Sequence, residues 1–117
     1  MMTIDPEAFA AEWLAAWNNH DIEAVLTHFA DEAVFTSPLA ARVVPQTGGI
    51  VRGKQALREY WTRAIDRIPV LQFTLLGVYV GLDTIVIRFC NERGEERCEV
   101  LRLSGGLVCE GHGTYSV

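Results

Sequence analysis

The 117-residue chain has few cysteines and no long hydrophobic run, and each shortage excludes a class of protein. The three cysteines, Cys90, Cys98 and Cys109, form no Cys-x-x-Cys pair and lie in strand-like segments. We therefore expect free thiols in a reducing compartment, with neither a disulfide framework nor a zinc site. No apolar stretch approaches the roughly 20 residues that a membrane span needs, and the first residues do not resemble a signal peptide. These features predict a cytoplasmic protein without a membrane partner.

Basic residues are also scarce. Ten Lys and Arg against 15 Asp and Glu give a formal net charge of −5, which argues against nucleic acid as a partner because phosphate binding requires a basic surplus. Arg58, Arg63 and Arg67 lie on one predicted helix and are typical of a solvated helix face. The hydrophobic and charged fractions, 50% and 21%, are ordinary for a folded protein. The length predicts a single domain over residues 1–117.

Hydrophobic periodicity predicts helices in the first half of the chain and strands in the second. Three helices are expected, from Asp5-Pro6-Glu7 to about Asn18, over residues 22–30, and from about Lys54 to just before Pro69. A short strand over residues 33–37 and a loop over residues 38–53 separate the last two helices. Strands follow over residues 70–80, 84–92, 95–103 and 107–117. Their short turns predict an antiparallel meander, so the fold class is α+β, with helices on one face of a curved sheet.

Four motifs carry a family resemblance: W-N-x-x-D, F-A-D-E-A-V-F-x-S-P, G-G-x-V-x-G-K-x-A-L-R-E-Y-W and the closing G-G-L-V. Together they resemble the SnoaL-like family of the nuclear transport factor 2-like superfamily, over about residues 7–116. The resemblance implies a cone-shaped half-barrel with three N-terminal helices packed on a curved, mainly antiparallel sheet. It also implies a pocket between helices and sheet, and a homodimer through the sheet's outer face. The superfamily includes isomerases, epoxide hydrolases, dehydratases, cyclases and non-catalytic modules, so the fold alone assigns no function.

Ketosteroid isomerases of this superfamily are the sharpest template for comparison. The resemblance puts Ser37 where their general-base aspartate stands, and a serine hydroxyl cannot take a proton at neutral pH without a base of its own. Trp13 falls at the position of their phenolic donor, and its indole can donate a hydrogen bond but not transfer a proton. Glu99 falls near their second, carboxylic donor. We therefore do not expect steroid isomerase activity.

Glu99 also has a predicted partner. If Arg93-Gly94 is a two-residue turn, Arg88 lies opposite Glu99 and the two form a cross-strand ion pair. On the solvent side such a pair contributes little; inside the pocket it would be a polar centre that positions a water or an oxygen-rich ligand. His112, between Gly111 and Gly113, is a further candidate because the glycines leave room for a ligand. The alternative is a strand histidine at a sheet edge or dimer contact.

Five aromatic residues and one serine are predicted to line the pocket: Trp13, Trp17, Phe35, Ser37, Tyr60 and Trp61. Core packing is the alternative for the aromatic residues, and some of them must serve it. His20 and His28 are expected at the surface. The run from Gly48 to Lys54 matches the start of a phosphate-binding loop but lacks the Ser or Thr that holds magnesium, so it does not predict nucleotide binding.

Two hypotheses from different classes follow. The first is an enzyme without cofactor or metal that performs isomerase, cyclase, dehydratase or hydrolase chemistry on a small apolar or cyclic organic substrate, using Glu99, Arg88 and His112. The second is a non-catalytic ligand-binding or dimeric protein-interaction module. A homodimer through the sheet face is expected because Leu76, Val78 and Val80 are apolar and are predicted to lie outside the pocket face.

Overall fold

The computed structural model describes residues 4–117, which form four α-helices and six β-strands on a single sheet. The helices are α1 (Pro6–Asn18), α2 (Ile22–Leu26), α3 (Pro38–Val43) and α4 (Lys54–Arg67). The strands are β1 (Phe29–Thr36), β2 (Ile50–Arg52), β3 (Thr74–Val80), β4 (Thr84–Cys90), β5 (Glu96–Ser104) and β6 (Leu107–Tyr115). A 3₁₀ turn, Pro45–Thr47, follows α3. The predicted α+β class is confirmed.

The sheet is mixed and open, with strand order β2-β1-β6-β5-β4-β3. Strands β3 to β6 form the predicted antiparallel meander. Strand β1 joins it in parallel to β6 and pairs antiparallel with β2 on its other side. Because the first strand pairs with the last, the helices that flank β1 are held over one face of the sheet. We call this covered face the inner face and the opposite one the outer face.

The prediction of a loop over residues 38–53 was wrong, because this stretch contains α3 and β2. Ser37 is the N-cap of α3 and its Oγ accepts a hydrogen bond from the Leu39 amide at 3.0 Å. Pro38 occupies the first helical turn, where its missing N–H costs nothing. The Ser-Pro pair therefore starts a helix as well as ending a strand.

Burial on the meander alternates as expected for a sheet covered on one side. Ile85, Ile87 and Phe89 of β4 are buried on the inner face, and the residues between them are only partly buried. Trp13 of α1 packs edge-on against Phe89, with ring centroids 5.2 Å apart. Leu57 of α4 is fully buried in the same core.

Polar contacts tie the end of α1 to the segment that leads into β3. The Asn18 side chain accepts from the Phe73 amide at 2.7 Å and donates to the Phe73 carbonyl at 3.0 Å. His20 Nε2 donates to the Leu71 carbonyl at 2.9 Å. The prediction of a surface loop histidine was therefore wrong for His20, which is partly buried. His28 was expected to face solvent, and that prediction was also wrong, because its ring packs edge-on against Phe9 with centroids 4.9 Å apart. Burial lowers the pKa of His28.

The edge strand β3 departs from the predicted pattern at a bulge between Leu75 and Gly77. Beyond it, Val78 and Val80 pair with Ile87 and Ile85, both core residues. Val78 and Val80 thus lie on the inner side of the edge strand, and the prediction that they belong to the outer face was wrong. None of the helices within residues 4–117 has the length and apolar character to cross a bilayer.

Candidate functional site

The helices and the inner face enclose a cavity of about 420 Å³ that opens beside the β4–β5 turn. All six predicted lining residues contribute to its wall: Trp13, Trp17, Phe35, Ser37, Tyr60 and Trp61. The aromatic residues among them are also buried in the core, so packing and lining are not alternatives here. Phe73 and Phe89, which the sequence analysis did not single out, complete the aromatic wall. That these residues bind a ligand stays a prediction.

The indole N–H groups of Trp13 and Trp17 are not available to a ligand in the cavity. Trp13 Nε1 and Trp17 Nε1 are buried atoms without a hydrogen-bond partner in the described part of the chain. Trp13 therefore lines the cavity without offering its N–H to it, although the resemblance placed Trp13 at a donor position. The polar chemistry of the cavity falls to other residues.

Glu99 is the carboxyl group at the inner end of the cavity. It lies on the inner face of β5, opposite Ile87 on one side and Gly113 on the other. Residues 4–117 supply it with neither an ion pair nor a hydrogen-bond donor, and what surface it retains lines the cavity. Burial of the charged form raises its pKa to about 8.

Ser37 and Tyr60 place two hydroxyl groups beside this carboxyl. Tyr60 donates its hydroxyl to Ser37 Oγ at 3.2 Å, and burial keeps the pKa of Tyr60 above its ordinary value, with the nearby Glu99 adding to the effect. Because Ser37 Oγ accepts from both Tyr60 and the Leu39 amide, its own proton is free to donate elsewhere.

Gly113 creates the gap in which these groups meet. A Cβ atom at Gly113 would lie 3.2 Å from Glu99 Oε1 and 3.4 Å from Ser37 Oγ. The carboxyl and the serine hydroxyl thus flank one small space, which a side chain at position 113 would fill. The arrangement offers a proton-carrying carboxyl and a hydroxyl donor within one apolar cavity.

Arg88 is not part of this site, so the predicted Arg88–Glu99 pair was wrong. Arg88 pairs across the hairpin with Cys98, and Glu99 pairs with Ile87. A shift of one residue reverses the face of every side chain, so Arg88 lies on the outer face. There its Nε donates to Glu96 Oε1 at 2.8 Å.

His112 also lies on the outer face, although it was predicted as a candidate catalytic residue of the pocket. Thr36 Oγ1 and His112 Nδ1 are hydrogen-bonded at 2.6 Å, and His112 Nε2 donates to Glu110 Oε2 at 2.9 Å. The space beside Gly111 and Gly113 is on the inner face, where side chains other than that of His112 lie over the two glycines. Phe35 packs over Gly111, and Glu99 and Ser37 lie over Gly113.

Four arginines line the cavity mouth, and none of them was predicted as a site residue: Arg42, Arg67, Arg93 and Arg97. Arg67 was expected on a solvated helix face together with Arg58 and Arg63, and that prediction was incomplete for Arg67, which is exposed but also lines the cavity. Arg97 lies two residues before Glu99, on the same face of β5. Its guanidinium stacks 3.7 Å above the centre of the Tyr115 ring. The spacing of Arg97 and Glu99 was the available signal, because residues i and i+2 of a strand share a face. Among residues 4–117, no three His, Cys, Asp or Glu side chains cluster as metal ligands would.

Comparisons with known proteins agree with this architecture. A family model described as the SnoaL-like domain matches residues 10–110. A SnoaL-like protein of unknown function from Burkholderia thailandensis is 30% identical, with a TM-score of 0.89 over 96% of this chain and 94% of its own. No curated protein matches the chain in sequence.

Two more distant structures share the fold. TerC, co-crystallised with polyporic acid, is 14% identical, with a TM-score of 0.77 over 96% of this chain and 92% of its own. A loop-truncation variant of IdmH is 19% identical, with a TM-score of 0.76 over 94% of this chain and 91% of its own. The family match covers most of the sequence, and the Burkholderia structure spans nearly all of it. The chain therefore belongs to the SnoaL-like family, within the nuclear transport factor 2-like fold.

Proposed function

We propose that this protein is an enzyme that moves protons on a small apolar or cyclic organic substrate, without a cofactor, and that Glu99 is the proton carrier. The observation that supports it is the isolated carboxyl group of Glu99 at the inner end of an aromatic cavity. A buried acid without a partner destabilises the fold when it is ionised. Its presence among apolar residues is therefore better explained by chemistry than by packing.

The raised pKa suits this role. With a pKa of about 8, roughly one Glu99 in ten is ionised at pH 7, and the protonated and ionised forms interconvert readily. The ionised carboxylate takes a proton from a carbon next to a carbonyl group: the C–H bond breaks, an O–H bond forms, and the electron pair moves to the carbonyl oxygen. Ser37, backed by Tyr60, donates a hydrogen bond to that oxygen. Glu99 then returns the proton at a second position or to a leaving hydroxyl.

The cavity limits the substrate to a compact molecule. Its volume of about 420 Å³ and its aromatic wall suit a small ring system. TerC, which shares the fold, was crystallised with polyporic acid. The isomerase, cyclase and dehydratase reactions all begin with the same proton transfer, so they are variants of one proposal.

Hydrogen–deuterium exchange into bound ketones tests the proposal directly. A panel of cyclic ketones is first screened by shifts in melting temperature, and those that bind are incubated with protein in heavy water and followed by mass spectrometry. We expect deuterium at the carbon next to the carbonyl, and a loss of at least about 100-fold in exchange rate in Glu99→Gln.

The matched control is Glu96→Gln, which changes an exposed glutamate on the outer face of the same strand and should exchange as the wild type does. Binding without exchange would contradict the catalytic proposal and favour the non-catalytic binding module.

We also propose that two copies associate through the outer face. One row across this face carries Tyr79, Val86 and Val100 on successive strands and continues to His112 on β6. Tyr79 is 57% exposed and lies beside two valines, and a contiguous exposed apolar patch is typical of an interaction surface. The cavity opens on the other side, so this association would leave it accessible.

A further inference from the structure

The proposed function leaves the charge of the ligand open, and the charged residues at the cavity mouth indicate what that charge is. Four arginines, Arg42, Arg67, Arg93 and Arg97, line the mouth against two glutamates, Glu92 and Glu95. Glu99 lies deeper and is mostly neutral at pH 7. The mouth is therefore positive in a chain whose net charge is −5.

The two glutamates are already engaged. Glu95 accepts from Asn91 Nδ2 at 3.0 Å and lies 3.5 Å from Arg97 Nη2. Glu92 accepts from the Gln72 amide at 3.4 Å. Within residues 4–117, the ion pairs leave Arg42, Arg67 and Arg93 without a carboxylate. Three guanidinium groups at one opening thus have unused hydrogen-bonding capacity.

Arg42 acts across the opening between its two walls. Burial raises the pKa of Tyr60, and the charge of Arg42 opposes that rise. The pKa of Glu95 is lowered first by the hydrogen bond from Asn91 and then by the charges of Arg97, Arg93 and Arg42, in that order. Arg42 on α3, Tyr60 on α4 and Glu95 in the β4–β5 turn all line the cavity, so Arg42 shares the opening with residues of both walls.

Arg97 connects the mouth to the reacting end of the cavity. Its side chain is only 16% exposed and is held by the Tyr115 ring and by Glu95. Two residues along a strand span roughly 7 Å, so Arg97 and Glu99 lie within the length of one small molecule. A carboxylate bound at the mouth would place the rest of its molecule beside Glu99 and Ser37.

We propose that the ligand of this cavity is a carboxylate-bearing molecule, with its apolar or cyclic body against the aromatic wall and its carboxylate at the arginines of the mouth. The proposal rests on the proposed function and names its substrate class. Arginine suits this task because its planar guanidinium binds a carboxylate through two parallel hydrogen bonds.

A matched pair of probes tests the preference. 2-Naphthoate and 2-naphthamide have the same ring system and differ in the charge of one group, and their binding can be measured by isothermal titration calorimetry. We expect naphthoate to bind at least about tenfold more tightly. Raising the salt concentration from about 50 mM to about 500 mM should weaken only naphthoate, because added ions screen exposed charges.

Arg42→Gln identifies the residue responsible. The Arg42 side chain makes no hydrogen bond within residues 4–117, so the variant should keep the wild-type melting temperature. We expect a loss of about three- to tenfold in naphthoate affinity, with naphthamide unchanged. Arg63→Gln is the control, because Arg63 is exposed on α4 and does not line the cavity.

The outcomes separate this proposal from the function on which it rests. Equal affinity for the two probes, or equal weakening of both by Arg42→Gln, would overturn the anion preference and leave the proton-transfer proposal standing. Failure of both probes to bind would count against both. The proposal would be supported if Arg42→Gln weakened the binding of naphthoate but not of naphthamide, and Arg63→Gln weakened neither.

Discussion

At the scale of single residues, Glu99 links the stability of the fold to pH. Its pKa rises from the ordinary 4.5 to about 8 in the folded state, so the unfolded chain ionises first as the pH increases. Between about pH 4.5 and pH 8 the unfolded state gains stability from this ionisation, and the folded state becomes relatively less stable. Ionisation of Glu99 therefore lowers the stability of the fold as the pH rises, and the effect is complete above about pH 8.

Glu99→Gln should remove that loss. We expect the variant to gain about 2–4 kcal/mol relative to wild type between pH 5 and pH 9, a value reduced from the full linkage because the cavity admits water. Urea unfolding at both pH values measures the difference. Glu96→Gln, on the exposed face of the same strand, controls for the loss of a carboxylate. Parallel pH dependences in Glu99→Gln and wild type would contradict the burial of Glu99.

Two glycines on β6 allow a paired substitution. A Cβ at Gly111 would lie 2.8 Å from Phe35 Cδ1 and 3.0 Å from Leu101 Cδ2, inside the closed core. Gly111→Ala should therefore destabilise the protein by about 1–3 kcal/mol through overpacking. Gly113→Ala adds the same methyl group two residues on, where it meets Glu99 and Ser37 beside the cavity.

The second substitution should separate function from folding. Gly113→Ala is expected to change the free energy of unfolding by less than about 1 kcal/mol, while reducing exchange into bound ketones by at least about tenfold because it fills the reacting gap. Urea unfolding and the exchange assay are measured on both variants. Equal loss of stability in the two would show that the gap beside Gly113 is packing space and not a reacting site.

The sequence predicted the residues of the aromatic wall better than the polar residues of the site. Helical spacing places Trp13 and Trp17 on one face wherever the helix is packed, so small errors in boundaries do not move them. Arg88 and His112 depend on strand register, for which one residue decides between inside and outside. The aromatic wall was therefore predictable, and the polar residues were predictable only in part, through Glu99, Ser37 and Tyr60.

At the scale of elements, the β4–β5 turn decides what the cavity contains. Arg93-Gly94 was predicted to be a two-residue turn, but the β4–β5 ladder ends with Cys90 opposite Glu96. Asn91 accepts from the amides of Arg93 and Glu95, each at 3.0 Å, and Gly94 has a φ of 75°. Asn at the first position of a type I turn, followed three residues later by glycine, is the signal that indicates this longer turn.

Asn91→Ala should loosen the turn. The substitution removes both amide contacts and the bond from Nδ2 to Glu95. We expect a loss of about 1–2 kcal/mol in the free energy of unfolding and faster hydrogen exchange at the amides of Arg93 and Glu95. Asn19→Ala, at an exposed residue whose side chain makes no hydrogen bond within residues 4–117, provides the comparison. Unchanged exchange at both amides would contradict the role of Asn91.

The missed elements α3 and β2 have a physical explanation. Helix α3 has six residues and β2 has three, too few for hydrophobic periodicity to appear. Their stability comes from tertiary contacts: Ser37 caps the helix, and β2 pairs with β1, with Val51 opposite Phe35. Only the Ser-Pro pair at the start of α3 is a local signal.

At the scale of the whole molecule, the outer face remains without a partner in the single chain. The meander, the α+β class and the family follow from the sequence because they depend on patterns repeated over many residues. Association between copies depends on a few exposed side chains, and β3 shows the difficulty. Its bulge after Leu75 moved Val78 and Val80 off the face on which they were expected and left Tyr79 on it.

We expect the protein to form a homodimer through the outer face. Light scattering after size exclusion should give about twice the 13.0 kDa mass of the chain. Val86→Glu places a charge in the centre of the row between Tyr79 and Val100 and should produce a monomer, because an unpaired charge at an apolar interface is costly. The side chain of Val86 points away from the core. The melting temperature of the protein should therefore fall only by the amount that the loss of association explains.

Leu82→Glu is the matched control for the charge itself. Leu82 is 80% exposed in the β3–β4 turn and lies outside the row, so this variant should remain a dimer with wild-type stability. Naphthoate binding should survive in both variants, since the cavity opens on the opposite side of the sheet. A wild-type monomer at micromolar concentration would contradict the dimer. Dimers in both variants would instead place the interface at another surface, for which the exposed Leu75 and Leu76 on the edge strand are the next residues to change.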